Sequence, residues 1–171
     1  MTSNAVSVIL PVLNEEDYLV HAVEAILQQK FTGQIEVLLA IGPSIDRTMQ
    51  IAEELAKNDS RVRIIENPSG RTAAGLNLAI KNSKYPVIVR VDGHSNIPEN
   101  YIELAVQLLE KTGAVNVGGL MSAEGRTPFE RAVAGAMRSP LGVGAAKFHT
   151  GGDRKSTRLN SSHEWISRMP S

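Results

Sequence analysis

Apolar residues run along this chain in two alternating rhythms. The first stretch, AVSVILPV at 5–12, is almost continuously apolar and rich in β-branched residues, the pattern of a strand covered on both faces, with Pro11 near its end. From Leu19 the spacing changes to threes and fours, through Ala22, Val23, Ile26 and Leu27, which predicts an amphipathic helix. Asn14 is a suitable N-cap for it, with Glu15, Glu16 and Asp17 in its first turn. The cycle then repeats. IEVLLAI (35–41) predicts a second strand, and the turn GPSIDRT (42–48) leads to a helix through Met49, Ala52, Leu55 and Ala56. VRII (62–65) predicts a third strand, followed by a turn and a helix over 73–82 with Leu76, Ala79 and Ile80 inward. PVIVRV (86–91) predicts a fourth. Asn96 and Pro98 then open a helix carrying Tyr101, Ala105, Leu108 and Leu109, which Gly113 is placed to end. A fifth strand is expected over 114–121. Thr127-Pro128-Phe129-Glu130 has the form of a capping box, opening a helix with Ala132, Val133, Ala136 and Met137 on one face. Five strands alternating with helices imply an α/β fold with a mainly parallel sheet flanked by helices.

From Ser139 the periodicity fails, and the glycine-rich stretch to Gly152 reads as a loop. Residues 153–171 differ again, being rich in serine and basic residues, holding the only tryptophan, and lacking a sustained period. They resemble a translated adapter sequence appended to a gene fragment, and are expected to be non-native or disordered and to lie outside the fold. The expected organisation is one domain over 1–152 and a tail over 153–171.

Composition narrows the function. The chain has 171 residues, 42% of them hydrophobic, enough for one sizeable core. Eighteen basic residues balance eighteen acidic ones, so no global field points to nucleic acid or to an anionic membrane. The absence of cysteine removes disulfides and thiolate metal sites. No apolar run approaches the ~20 residues of a membrane span and the N-terminus lacks a secretory pattern, so a cytoplasmic location is expected. No Gly-x-Gly-x-x-Gly follows the first strand and no P-loop is present, which argues against dinucleotide dehydrogenases and P-loop ATPases. No His or Cys pairs stand at structural zinc spacing, and the isolated His21 reads as a surface residue.

Four strand ends are equipped for a ligand, and in a parallel sheet such ends converge on one edge. Glu15 follows the first strand, Ser44 the second, Arg71 the third, and Asp92-Gly93-His94 the fourth. Each also has a plainer reading. Glu15 can complement a helix N-terminus, Ser44 and Asp46 can cap the second helix, Arg71 can be a surface ion-pair partner, and Asp92-Gly93 can be a turn. Gly93, beside Asp92, would let a bulky anion approach the backbone.

These residues carry a resemblance. VSVILPVLNEE, GRTAAGLNLAI and VRVDGH resemble the inverting family-2 glycosyltransferases of GT-A fold, particularly bacterial exopolysaccharide enzymes of the succinoglycan type, over residues 6 to about 150. The resemblance implies a nucleotide-sugar donor, a divalent cation (Mn²⁺ or Mg²⁺) and a glycan or lipid-linked acceptor, in a parent protein that can associate with a membrane. It implies that Pro11 and Glu15 line the base and ribose, that Arg71 lies near the donor, and that Asp92 begins the metal-diphosphate motif. There are departures. Ile41-Gly42-Pro43-Ser44 stands where the family commonly has an Asp-Asp-Gly-Ser type sequence, and His94 stands where the second acid of an Asp-x-Asp motif is usual. A neutral imidazole can bind Mn²⁺ but suits Mg²⁺ poorly, and it can instead donate to phosphate. The family's general base lies beyond the fifth strand and its helix. After Glu130 only Asp153 and Glu164 remain, so the sequence is expected to be truncated on its C-terminal side, holding the donor half without the base. The alternatives are a sugar-phosphate nucleotidyltransferase, whose Gly-x-Gly-Thr-Arg loop is missing here, and a non-catalytic nucleotide-binding remnant.

Overall fold

The computed structural model describes residues 5–95, 97–118 and 165–168. Ten elements follow in chain order: β1 (Ala5–Val12), α1 (Leu19–Leu27), β2 (Gln34–Ile41), α2 (Thr48–Asn58), β3 (Val62–Glu66), α3 (Thr72–Asn82), β4 (Val87–Arg90), α4 (Tyr101–Thr112), β5 (Asn116–Gly118) and β6 (Trp165–Arg168). They build a sheet of order β3-β2-β1-β4-β6-β5. The pairs β3/β2, β2/β1 and β1/β4 are parallel, whereas β6 runs antiparallel to both its neighbours. The sheet is therefore mainly parallel, with helices on both faces.

Strand alternation divides the core. Val6, Val8, Leu10 and Val12 of β1 face one layer, where they join Leu19, Ala22, Val23 and Ile26 of α1, Ala52 of α2, and Tyr101, Ile102, Ala105, Val106 and Leu109 of α4. Ile9 faces the other layer, with Leu38, Ala40 and Ile88, and α3 covers it through Ala79, Leu76 and Ile80. Each fully buried Leu, Ile or Val contributes about 1.5–3 kcal/mol relative to exposure. This two-sided burial is why β1 reads as continuous hydrophobic sequence.

One polar group interrupts the α3 side. Ser7 and Glu36 are buried there. The Ser7 hydroxyl donates to Glu36 Oε1 at 2.6 Å, the Lys84 amide donates to the same oxygen at 2.5 Å, and Arg63 pairs with Oε2 at 3.1 Å. The Tyr85 amide in turn donates to the Ser7 hydroxyl. Both oxygens of the buried carboxylate thus accept hydrogen bonds, and it fixes the α3–β4 connection at the sheet end remote from the C-terminal edge of β1.

Three local expectations are corrected. Asn14 is not a helix cap: α1 begins only at Leu19, and Asn14 adopts φ 55° in the loop before it, a left-handed conformation that asparagine tolerates. The acids at 15–17 therefore precede the helix rather than forming its first turn. The tail is not wholly outside the sheet, since Trp165–Arg168 lies between β4 and β5, where Ile166 pairs with Val89 and Val117 and is fully buried. An extended segment there satisfies the facing backbone edges of both strands. Gly113 does end α4, at φ 64°. The expected helix after Thr127, the loop at 139–152 and both late acids, Asp153 and Glu164, lie outside the described residues.

Candidate functional site

The ends of β1 and β2 lead into loops that bind each other. The Asn14 amide donates to Ser44 Oγ at 3.1 Å, and Asn14 Oδ1 accepts from the Ile45 amide at 2.9 Å. The Glu15 amide donates to Thr48 Oγ1 at 2.8 Å, the Glu16 amide to Asp46 Oδ2 at 3.2 Å, and the Arg47 amide to Glu16 Oε2 at 3.0 Å. Asp46 Oδ1 also accepts from the Thr48 amide at 3.0 Å, so Asp46 does serve the start of α2. Bonds from the Thr48 side chain and from these amides hold the Asp46 carboxyl below its ordinary pKa. Gly42 completes the junction, since a Cβ there would stand 3.0 Å from Leu13 Cδ1 and 3.2 Å from the Cα of Gly70. Three loops meet where the glycine has no side chain.

This clasp presents Glu15 to the loop after β4. A cleft of about 220 Å³ opens there, bounded by Pro11 and Val12 at the end of β1 with Leu13 and Glu15 beyond it, by Asn67 and Gly70 after β3 with Thr72 at the start of α3, and by Arg90 at the end of β4 with Asp92, Gly93 and His94 beyond it. It lies at the carboxyl ends of β1, β3 and β4, where open α/β sheets take their ligands.

Inside it, two pairs dominate. Arg90 Nε and Nη2 both lie 3.0 Å from Asp92 Oδ1. Glu15 Oε1 lies 3.0 Å from His94 Nδ1. Glu15 reaches the histidine by crossing Gly93, whose added Cβ would stand 3.2 Å from Glu15 Cγ. The space over Gly93 is therefore filled by the Glu15 side chain, not left open for an anion.

The structure brings together Pro11, Glu15, Asp92, Gly93 and His94 of the expected site residues. It does not bring in Ser44, whose hydroxyl serves the clasp, or Arg71, whose side chain is exposed although Gly70 and Thr72 on either side line the cleft. His21 is exposed on α1. Sequence reasoning missed Arg90 and Asn67. Arg90 does leave a signal, a lone cation in an apolar strand two residues before Asp92 and so on the same strand face. Asn67 leaves none, because its place is set by local loop bonds, its Nδ2 donating to the Arg71 carbonyl at 3.1 Å and its Oδ1 accepting from the Ser69 hydroxyl at 2.8 Å.

Whether these groups suit a divalent cation is a question of donors. No group of three or more His, Cys, Asp or Glu side chains among the described residues forms a metal cage. Asp92 has Oδ2 and His94 has Nε2 without a partner among the described residues, which makes one oxygen and one nitrogen donor. With phosphate oxygens and water completing the shell, that set fits Mn²⁺, which accepts nitrogen donors, better than Mg²⁺, which prefers oxygen. No helix among the described residues is long and apolar enough to cross a membrane.

Comparison with known proteins agrees with this geometry. The chain is 33% identical over 155 residues to the succinoglycan biosynthesis protein ExoA of Rhizobium meliloti, covering 88% of this chain and 46% of that protein. It is 35% identical over 118 residues to the glycosyltransferase GlyG of Streptococcus pneumoniae, covering 68% of this chain and 39% of that one. It thus spans less than half the length of these relatives. Among solved structures, the mannosyltransferase PcManGT of Pyrobaculum calidifontis in complex with GDP-Man and Mn²⁺ superposes with a TM-score of 0.62 at 20% identity, covering 78% of this chain and 40% of that one. S. aureus TarS in complex with UDP superposes with a TM-score of 0.61 at 23% identity, covering 72% and 36%. At these identities the likeness establishes a common GT-A fold. The model of the family described as glycosyl transferase family 2 matches residues 7–163, and the chain belongs to that family.

Proposed function

We propose that this chain forms the donor-binding part of an inverting glycosyltransferase that moves a sugar from a nucleotide-sugar to a glycan or lipid-linked acceptor, in exopolysaccharide or cell-envelope glycan synthesis at the cytoplasmic side of the membrane. The observation that carries the reading is the convergence of Pro11, Glu15, Asp92, Gly93 and His94 on one cleft at the carboxyl edge of the sheet, in a family-2 chain. The relationship to ExoA supports the exopolysaccharide assignment, and the Mn²⁺ and GDP-Man held by PcManGT support a cation and a nucleotide-sugar.

In this reading the nucleoside lies along the Pro11–Leu13 side of the cleft and the diphosphate faces Asp92 and His94. Arg90 adds positive charge beside the phosphates. Asp92 and His94 would hold a divalent cation, which when bound would neutralise charge on the departing diphosphate. Inversion needs a carboxylate to take the proton of the attacking acceptor hydroxyl. The carboxylates lining the cleft among the described residues are Glu15 and Asp92, and both are engaged, so neither is assigned as base.

The test is calorimetric titration of the full chain with UDP, GDP, CDP and dTDP, with and without Mn²⁺. One of them is expected to bind in a divalent-dependent manner, and Asp92→Asn is expected to weaken that binding about tenfold or more without unfolding the protein, by removal of a charged ligand. A folded chain that binds no nucleoside diphosphate would refute the donor-site reading.

A further inference from the structure

We propose that Glu15 is a positioning residue for His94, presenting the imidazole Nε2 as a nitrogen ligand to the cation and thereby biasing the site toward Mn²⁺ over Mg²⁺. This rests on the donor-site reading above for its ligand, though not for its geometry. The family resemblance would place Glu15 against the nucleoside. Its carboxylate instead meets the His94 ring.

A carboxylate can only accept a hydrogen bond. With Glu15 Oε1 3.0 Å from His94 Nδ1, the neutral ring must carry its proton on Nδ1, which leaves the lone pair on Nε2. A carboxylate that orients a metal-binding histidine through its second nitrogen is the usual supporting arrangement, and it raises the basicity of the ligand. Two independent features hold Glu15 to this task. Its amide is anchored to Thr48 Oγ1 in the clasp, and Gly93 offers the bare backbone over which its side chain passes. The Glu15 side chain is also largely buried, at 17% exposure, whereas the His94 ring is 56% exposed. The support is fixed and the ring faces the cleft and solvent. A nitrogen donor favours Mn²⁺, because Mg²⁺ prefers an all-oxygen shell.

The experiment uses the full chain with ¹⁵N-labelled histidine, His94→Asn supplying the assignment. Long-range ¹H–¹⁵N spectra of metal-free protein should show His94 as the Nδ1–H tautomer, and Glu15→Ala should return it to the Nε2–H form that predominates in free imidazole side chains. Titration of Mn²⁺ alone should broaden the His94 ring signals first in the wild type and much less in Glu15→Ala. With UDP present, Glu15→Ala and His94→Asn should each weaken Mn²⁺ binding about 10–100-fold, with a smaller effect on Mg²⁺. The double variant should lose no more than His94→Asn alone. Glu15→Gln keeps an acceptor oxygen and should lose less than Glu15→Ala. An unchanged tautomer and unchanged Mn²⁺ broadening in a folded Glu15→Ala protein would overturn the proposal, as would a Glu15→Ala defect confined to UDP binding in EDTA. If the wild type bound no nucleotide, the donor-site reading would fail, while the tautomer and Mn²⁺ broadening would still decide the role of Glu15.

Discussion

Arg90 grips Asp92 by a single oxygen: its Nε and Nη2 both lie 3.0 Å from Oδ1, and no bond from the described residues reaches Oδ2. The pair is shielded, with side-chain exposures of 22% and 12%. It therefore has two consequences that can be separated, one for stability and one for the ligand.

Replacing Arg90 by methionine keeps most of the apolar stem and removes both bonds to a mostly buried carboxylate. Such a loss typically costs about 1–3 kcal/mol, so urea unfolding at neutral pH should report a decrease in that range. Asp92→Asn retains an acceptor for Arg90 and should cost less. Nucleoside diphosphate binding should weaken in both variants, and Arg90→Lys should recover charge but not the paired geometry.

The clasp between the first two loops has a pH signature. Bonds to the Asp46 carboxyl from the Thr48 side chain and the Thr48 and Glu16 amides lower its folded-state pKa below its unfolded value. The stabilisation is then complete above the unfolded carboxylate pKa and disappears as pH falls through the lower, folded value. Asp46→Ala should therefore be less stable than the wild type at pH 7, with the difference shrinking in strong acid. Denaturant titrations of both proteins across pH 2–7 measure this directly. A gap that does not change with pH would mean that the carboxylate charge contributes nothing to the clasp.

Glu36 permits a test at the opposite end of the sheet. It is buried and receives the Ser7 hydroxyl, the Lys84 amide and Arg63. Glu36→Leu leaves those donors without their acceptor and should destabilise by about 1–3 kcal/mol for the buried groups, Arg63 adding little because solvent reaches it. Nucleotide affinity should stay unchanged, since the network lies away from the cleft. A loss of affinity without loss of stability would contradict the structural role.

The parts of the fold that sequence made legible are those where burial follows a local period. β1 is apolar on both faces because helices cover both, and α1 shows its buried side at Leu19, Ala22, Val23 and Ile26 because three- and four-residue spacing puts them on one stripe. Asn14 misled for a local reason as well, having the chemistry of a helix cap while its side chain is taken by the Ile45 amide of another loop. Within the site, strand-end position located Glu15, Asp92 and His94. It could not show that Glu15 and His94, separated by 79 positions, share a hydrogen bond, because that depends on how three loops pack above the sheet. Arg71 shows the reverse case. Its loop reaches the cleft through Gly70 and Thr72, but its side chain points into solvent.

At the C-terminal strand, composition and structure disagree. Residues 153–171 read as foreign to the fold, yet Ile166 is fully buried between Val89 of β4 and Val117 of β5. Four residues are too few for a period-two pattern to stand out, so sequence alone would not find this strand. Ile166→Ala should cost about 2–5 kcal/mol, as expected for removing a well-packed aliphatic side chain. Ser167→Ala, at a half-buried neighbouring position, should change stability by about 0.5 kcal/mol or less. Deleting 165–171 should lower the thermal midpoint at least as much as Ile166→Ala, because it also uncovers the backbone edges of β4 and β5, and it should raise the tendency to self-associate. Unchanged midpoints for both the substitution and the deletion would show that the sheet ends at β4 without this strand and that the segment lies outside the domain after all.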